Sequence, residues 1–117
     1  MIWLRNVLKF FSTTPEKFPD IPQGHRIRYN YNRHGRKDVL YTIKDSIVIH
    51  FGIARANTRC GDIFNRVIGV RLAQKRAIKA QNQNRWSYED TPYSMYGSIM
   101  ARDIVWFLRE FDEMGTK

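Results

Sequence analysis

From His25 to Ile53 apolar residues recur at every second position, and from Ile63 onward they recur at every third or fourth. A period of two sends alternate side chains to opposite faces of a strand, whereas a period of 3.6 gathers them on one stripe of a helix. A chain that switches between them must place a sheet beside a helix. Ile27, Tyr29 and Tyr31 alternate with Arg26, Arg28, Asn30 and Asn32. The turn Arg33-His34-Gly35-Arg36-Lys37 follows, and its glycine can take positive φ. Val39, Tyr41 and Ile43 then alternate with Leu40, Thr42 and Lys44. After Lys44-Asp45-Ser46, Ile47, Ile49, Phe51 and Ile53 face one way and Val48 and His50 the other. The pattern predicts three antiparallel strands in meander order.

Asp62 is a good N-cap for a helix from about Ile63 to Asn82. At 100° per residue, Ile63, Val67, Val70, Ala77 and Ile78 share one face, while Arg71, Lys75 and Lys79 stack along the opposite flank. Ala73, Ala77 and Ala80 allow close approach to a sheet. Met100, Ile104, Val105, Phe107, Leu108 and Phe111 repeat at helical spacing between Ser98 and Gly115, which predicts a C-terminal helix. Trp3, Leu4, Val7, Leu8 and Phe11 predict an N-terminal amphipathic helix, set apart by Pro15, Pro19 and Pro22. The expectation is one α+β domain over 117 residues. Its parts are an N-terminal helix (1–12), a Pro-rich connection (13–24), a βββα basic core (25–82), a polar and aromatic loop (83–97) and a C-terminal helix (98–114). The first helix needs cover, either from the C-terminal helix of the same chain or from a second copy in a homodimer.

Charge narrows the partners. Between Arg26 and Arg85 there are 14 Lys and Arg residues against Asp38, Asp45 and Asp62. Beyond Arg85 the balance reverses, with Glu89, Asp90, Asp103, Glu110, Asp112 and Glu113 against Arg102, Arg109 and Lys117. So uneven a field, in a chain of net charge +9, attracts polyanions to one part of the molecule. The expected partner is nucleic acid, either a duplex or structured RNA or DNA. The candidate contacts are Arg26, Arg28, Arg33, His34, Arg36 and Lys37 in the first hairpin, Arg71, Lys75, Arg76 and Lys79 on the helix, and Arg85 with Trp86 after it. Trp86, Tyr88, Tyr93 and Tyr96 either pack the loop onto the core or stack unpaired bases.

Other chemistries lack their residues. The lone Cys60 cannot form an internal disulfide, and His25, His34 and His50 are scattered without metal-ligand spacing. There is no Gly-rich phosphate loop or nucleophile elbow, so neither catalysis nor a cofactor or metal is expected. No apolar stretch approaches the roughly 18 residues of a membrane span. Met1 to Phe11, broken by Arg5 and Lys9, also lacks the small-residue cleavage site of a secretory signal. The expectation is a cytoplasmic protein without a membrane partner.

The expected order of helix, three-stranded meander and helix resembles the double-stranded-RNA-binding domain. The resemblance implies phosphate contacts from Arg33, His34, Arg36 and Lys37 in the hairpin and from Arg71, Lys75, Arg76 and Lys79 on the helix. That family places its lysine cluster at the start of the helix, whereas Lys75 and Arg76 fall mid-helix. The order also resembles domains that lay a sheet face in the DNA major groove, which implies Arg26, Arg28, Asn30, Asn32, Thr42 and His50 instead. Finally, Gly52-Ile53-Ala54, Gly61-Asp62-x-Phe64-Asn65-Arg66-x-Ile68-Gly69 and Leu72-Ala73-x-x-Arg76-Ala77 together resemble small proteins encoded by tailed bacteriophages. Such an origin implies residence in the host cytoplasm. It also implies an alternative role, as an inhibitor or adaptor that binds an acidic host protein such as a defence nuclease or a polymerase subunit.

Overall fold

In the computed structural model the described residues are 19–31, 36–57 and 65–114. Four strands, β1 (His25–Tyr31), β2 (Arg36–Asp45), β3 (Val48–Asn57) and β4 (Tyr96–Met100), form one antiparallel sheet in the order β1-β2-β3-β4. Helix α1 (Arg66–Gln83) connects β3 to β4, and a short 3₁₀ turn (Ala101–Asp103) leads into α2 (Ile104–Met114). This corrects the expected three-stranded meander. The fourth strand comes from the end of the segment expected to be a loop and the start of the expected C-terminal helix. The amphipathic helix expected at 1–12, the hairpin tip at 32–35 and the proposed cap Asp62 lie outside the described residues.

The strands pair as their alternation requires. Asp45 sits opposite Val48, so β2 and β3 are joined by a two-residue turn in which Ser46 takes φ 58. Val39, Tyr41, Ile43 and Ala54 point to one face and pack with Val70, Ala73 and Ala77 of α1. Leu40, Ile49, Phe51, Ile53 and Ile99 point to the other and pack with Phe107, Phe111 and Met114 of α2. The helices therefore cover opposite faces of the sheet, giving three layers with two apolar seams.

The two seams differ in depth. At Gly52 an added Cβ would lie 2.1 Å from the carbonyl oxygen of Ala73 and 2.5 Å from the amide nitrogen of Ala77, so α1 rests backbone to backbone on β3. That is why its buried residues are Val70, Ala73, Ala77 and Ala80. Ile78, expected on the same face, is exposed. The helix starts one residue after Asn65, whose side chain accepts from the Ile68 amide at 3.1 Å. It ends at Asn84, which takes φ 50. On the far face, α2 stands off on large rings, with the Phe51 and Phe107 centroids 4.7 Å apart.

Candidate nucleic-acid interface

Once α1 is pinned at Gly52, its basic residues no longer form one row. Arg76 turns toward the sheet, where its Nη1 donates to the Ile53 carbonyl at 2.6 Å and burial pushes its pKa down. Arg71 is half-buried, with its Nε shut from solvent. Lys75 and Lys79 project outward, one helical turn apart. Lys79 Nζ lies 5.1 Å from the centre of the Tyr96 ring, and the Arg85 guanidinium lies 4.5 Å from the same ring. Trp86, 49% exposed, follows directly and forms a bridge with Ser98 of β4. Lys75, Lys79, Arg85, Tyr96 and Trp86 thus make one outward cluster at the C-terminal half of α1.

A second cluster, which the sequence did not indicate, closes the other end of the same face. Arg66, in the first turn of α1, sits 4.9 Å over Tyr29 and 5.8 Å over Tyr31, and its Nε donates to the Tyr31 hydroxyl at 3.2 Å. Lys37 lies 5.7 Å from the Tyr31 ring. The alternation of β1 already puts Tyr29 and Tyr31 on one face. Arg66, 35 residues after Tyr31, has no local signal that would bring it there.

The polar side of β1 is largely occupied. Arg28 clamps Asp112 of α2: its Nε donates to Oδ1 at 2.9 Å and its Nη2 pairs with Oδ2. This hydrogen bond holds the Arg28 guanidinium above its usual pKa. Asn30 donates to the carbonyls of Phe111 at 2.8 Å and Asp112 at 3.2 Å. His50, expected to share this face, points the opposite way and is buried against the Ser98 hydroxyl at 2.7 Å. His50 thus takes no part in that face, while Arg28, with its side chain 46% exposed, and Asn30 stay on it and carry contacts to α2. Arg26, Arg28, Thr42 and Lys44 line a cleft of about 510 Å³ with an apolar floor of Leu40, Ile49, Ile104 and Leu108. Arg33, His34 and the Arg36 side chain lie outside the described residues.

The loop before β4 holds its aromatics outward. Ser87 and Thr91 are buried and joined through their hydroxyls at 2.9 Å, and the Tyr93 amide closes a turn onto the Asp90 carbonyl at 2.7 Å. These small polar anchors fill the space beside Gly97, where a Cβ would lie 1.9 Å from Ser87 Oγ. Tyr88 and Tyr93 are consequently 55% and 63% exposed and do not pack onto the core.

Among the described residues no cluster of His, Cys, Asp and Glu could hold a metal ion. No helix there is long and apolar enough to cross a membrane. No protein-family model, no curated protein and no solved structure matches the chain.

Proposed function

We propose that this chain is a non-enzymatic nucleic-acid-binding protein of bacteriophage origin. It follows a duplex or structured RNA through phosphate contacts from the outer side of α1. The observation that carries the reading is the cluster of Lys75, Lys79 and Arg85 beside Tyr96 and the exposed Trp86. Cations resting on ring faces keep N–H groups for phosphate oxygens, and the adjacent indole offers a stacking surface for a base. The 18 residues of α1 span about 27 Å. Arg66 at one end and Arg85 just beyond the other can thus reach phosphates several nucleotides apart.

The test is the salt dependence of binding. Each neutralised phosphate contributes about 0.9 to the log-affinity versus log-salt slope on duplex DNA, so replacing Lys75, Lys79 and Arg85 by Ala together flattens it by roughly 2.7. Absence of binding to both DNA and RNA at low salt refutes the proposal. The alternative reading, an inhibitor or adaptor for an acidic host protein, rests on the same basic cluster. Affinity purification from host lysate separates the two: a single stoichiometric protein retained after nuclease treatment favours the alternative.

A further inference from the structure

α2 covers its face of the sheet only in part. Phe107, Phe111 and Met114 are buried with Leu40 and Ile53, while Ala101, Ile104 and Leu108 pack against the same core and stay partly exposed. The cleft of about 510 Å³ lies where this cover ends. Leu40, Ile49, Ala101, Ile104 and Leu108 line it with aliphatic carbon, and Arg26, Arg28, Thr42 and Lys44 supply its polar groups. The register explains the grouping. Arg26 pairs with Thr42, Arg28 with Leu40 and Lys44 with Ile49, and directly paired residues send their side chains to the same face.

The charge in this cleft is of one sign, since no Asp or Glu lines it. Arg28 gives Nε and Nη2 to Asp112, which leaves Nη1. Among the described residues no carboxylate pairs with Arg26 or Lys44. Asp45, next to Lys44 in the chain, is turned to His50 on the other face, 3.6 Å away. Cations set beside aliphatic carbon suit an anion with an apolar body.

Size and lining narrow that anion further. A helix is about 10 Å across, so a volume of about 510 Å³ takes only about 6 Å of it, roughly one turn. A nucleobase needs partners for its edge donors and acceptors and a ring to stack on, whereas this cleft offers one hydroxyl, on Thr42, and no aromatic side chain. An aliphatic chain needs neither. The volume also falls within the roughly 300–1,000 Å³ of small-ligand sites.

We infer that this cleft binds a free medium-chain aliphatic carboxylate, its chain on Leu40, Ile49, Ile104 and Leu108 and its head held by Arg26, Lys44 and Nη1 of Arg28. The site lies across the sheet from α1 and stands independently of the nucleic-acid reading.

The full chain, free of nucleic acid, is titrated with hexanoate, octanoate, decanoate and octanol below their micelle-forming concentrations while amide and methyl NMR signals are followed. Saturable shifts are expected at the Gly24 amide and at the Ile104 and Leu108 methyls. Affinity should rise about fourfold for each methylene added from hexanoate to decanoate. Octanoate should bind about tenfold tighter than octanol. Arg26→Gln combined with Lys44→Gln, both at exposed positions, should remove most of that preference and leave octanol binding unchanged. Leu108→Gln should weaken both ligands, and the chain-length series on the unaltered protein carries the same test if that variant does not fold. Equal binding of octanoate and octanol overturns the inference, as does an affinity independent of chain length. So does tighter binding of adenosine monophosphate at the same signals, or shifts that begin only at micelle-forming concentrations.

Discussion

Replacing Gly52 by Ala tests whether α1 is seated as described. The new Cβ would lie 2.1 Å from the Ala73 carbonyl oxygen, 2.5 Å from the Ala77 nitrogen and 2.7 Å from Arg76 Cβ. The first distance is about 0.9 Å inside the 3.0 Å that real Cβ atoms respect. Two of the three atoms are backbone and cannot rotate away, so the helix must lift by about 1 Å. A gap of that size forfeits a quarter to a half of the dispersion energy along the seam. Overpacking of this kind costs about 1–3 kcal/mol, and loss of the Arg76 hydrogen bond to Ile53 adds about 1 kcal/mol. The expected loss is about 2–4 kcal/mol, which in a domain of this size lowers Tm by roughly 8–16 °C. Urea denaturation followed by far-ultraviolet circular dichroism measures it. A variant that unfolds cooperatively with a loss below about 1 kcal/mol would show that α1 does not rest on β3 at Gly52.

Two further outcomes follow from the same geometry. Burial holds the Tyr41 phenol above its ordinary pKa of about 10, and burial does the same for Tyr29. With folded values above unfolded ones, these groups leave stability intact below the unfolded pKa and remove it as pH rises past about 10. Tyr41→Phe should flatten that alkaline loss in denaturation midpoints, while at neutral pH it costs about 1–2 kcal/mol because His25 and Gln74 lose their hydroxyl partner. Asp112→Ala removes an ion pair whose two side chains are each nearly half exposed, so stability should fall by less than about 1 kcal/mol. It also releases Arg28 beside Arg26 and Lys44. An unchanged salt slope for nucleic acid is expected if α1 is the interface, whereas a steeper one would place binding on the β1 side instead.

Which parts of this arrangement local pattern could reveal depends on the range of the interaction that fixes them. The alternation in β1, β2 and β3 is local, and these strands pair as neighbours in sequence. β4 has only five residues, and Met100, four before Ile104, continues the periodicity of the helix that follows. Its strand pairing is fixed by β3, 44 to 52 residues earlier in the chain, and no local signal reports that. On α1 the small residues Ala73, Ala77 and Ala80 approach the sheet as their pattern suggests, whereas Ile78, which the helical wheel places on the buried face, is exposed because the seam opposite Gly52 takes only small side chains. The polar side of β1 reads as a solvated or nucleic-acid-facing surface because the partner of Arg28 is 84 residues away.

The charge division along the chain is only partly a division in space, since Arg26, Arg28 and Lys44 of the basic segment share the α2 side of the sheet. β3 is buried on both faces, with Gly52 against α1 and Phe51 against α2, so the helices share no surface at the centre of the molecule. Lys75, Lys79 and Arg85 face solvent on the α1 side, while Asp112 of α2 is paired with Arg28 at the β1 edge and Glu89 and Asp103 lie beside Tyr88 and Trp106 near the other edge. Packed layers of a sheet and helix are about 10 Å thick, a distance comparable to the screening length at physiological salt. A polyanion lying along α1 is therefore only weakly repelled by the carboxylates beyond the sheet.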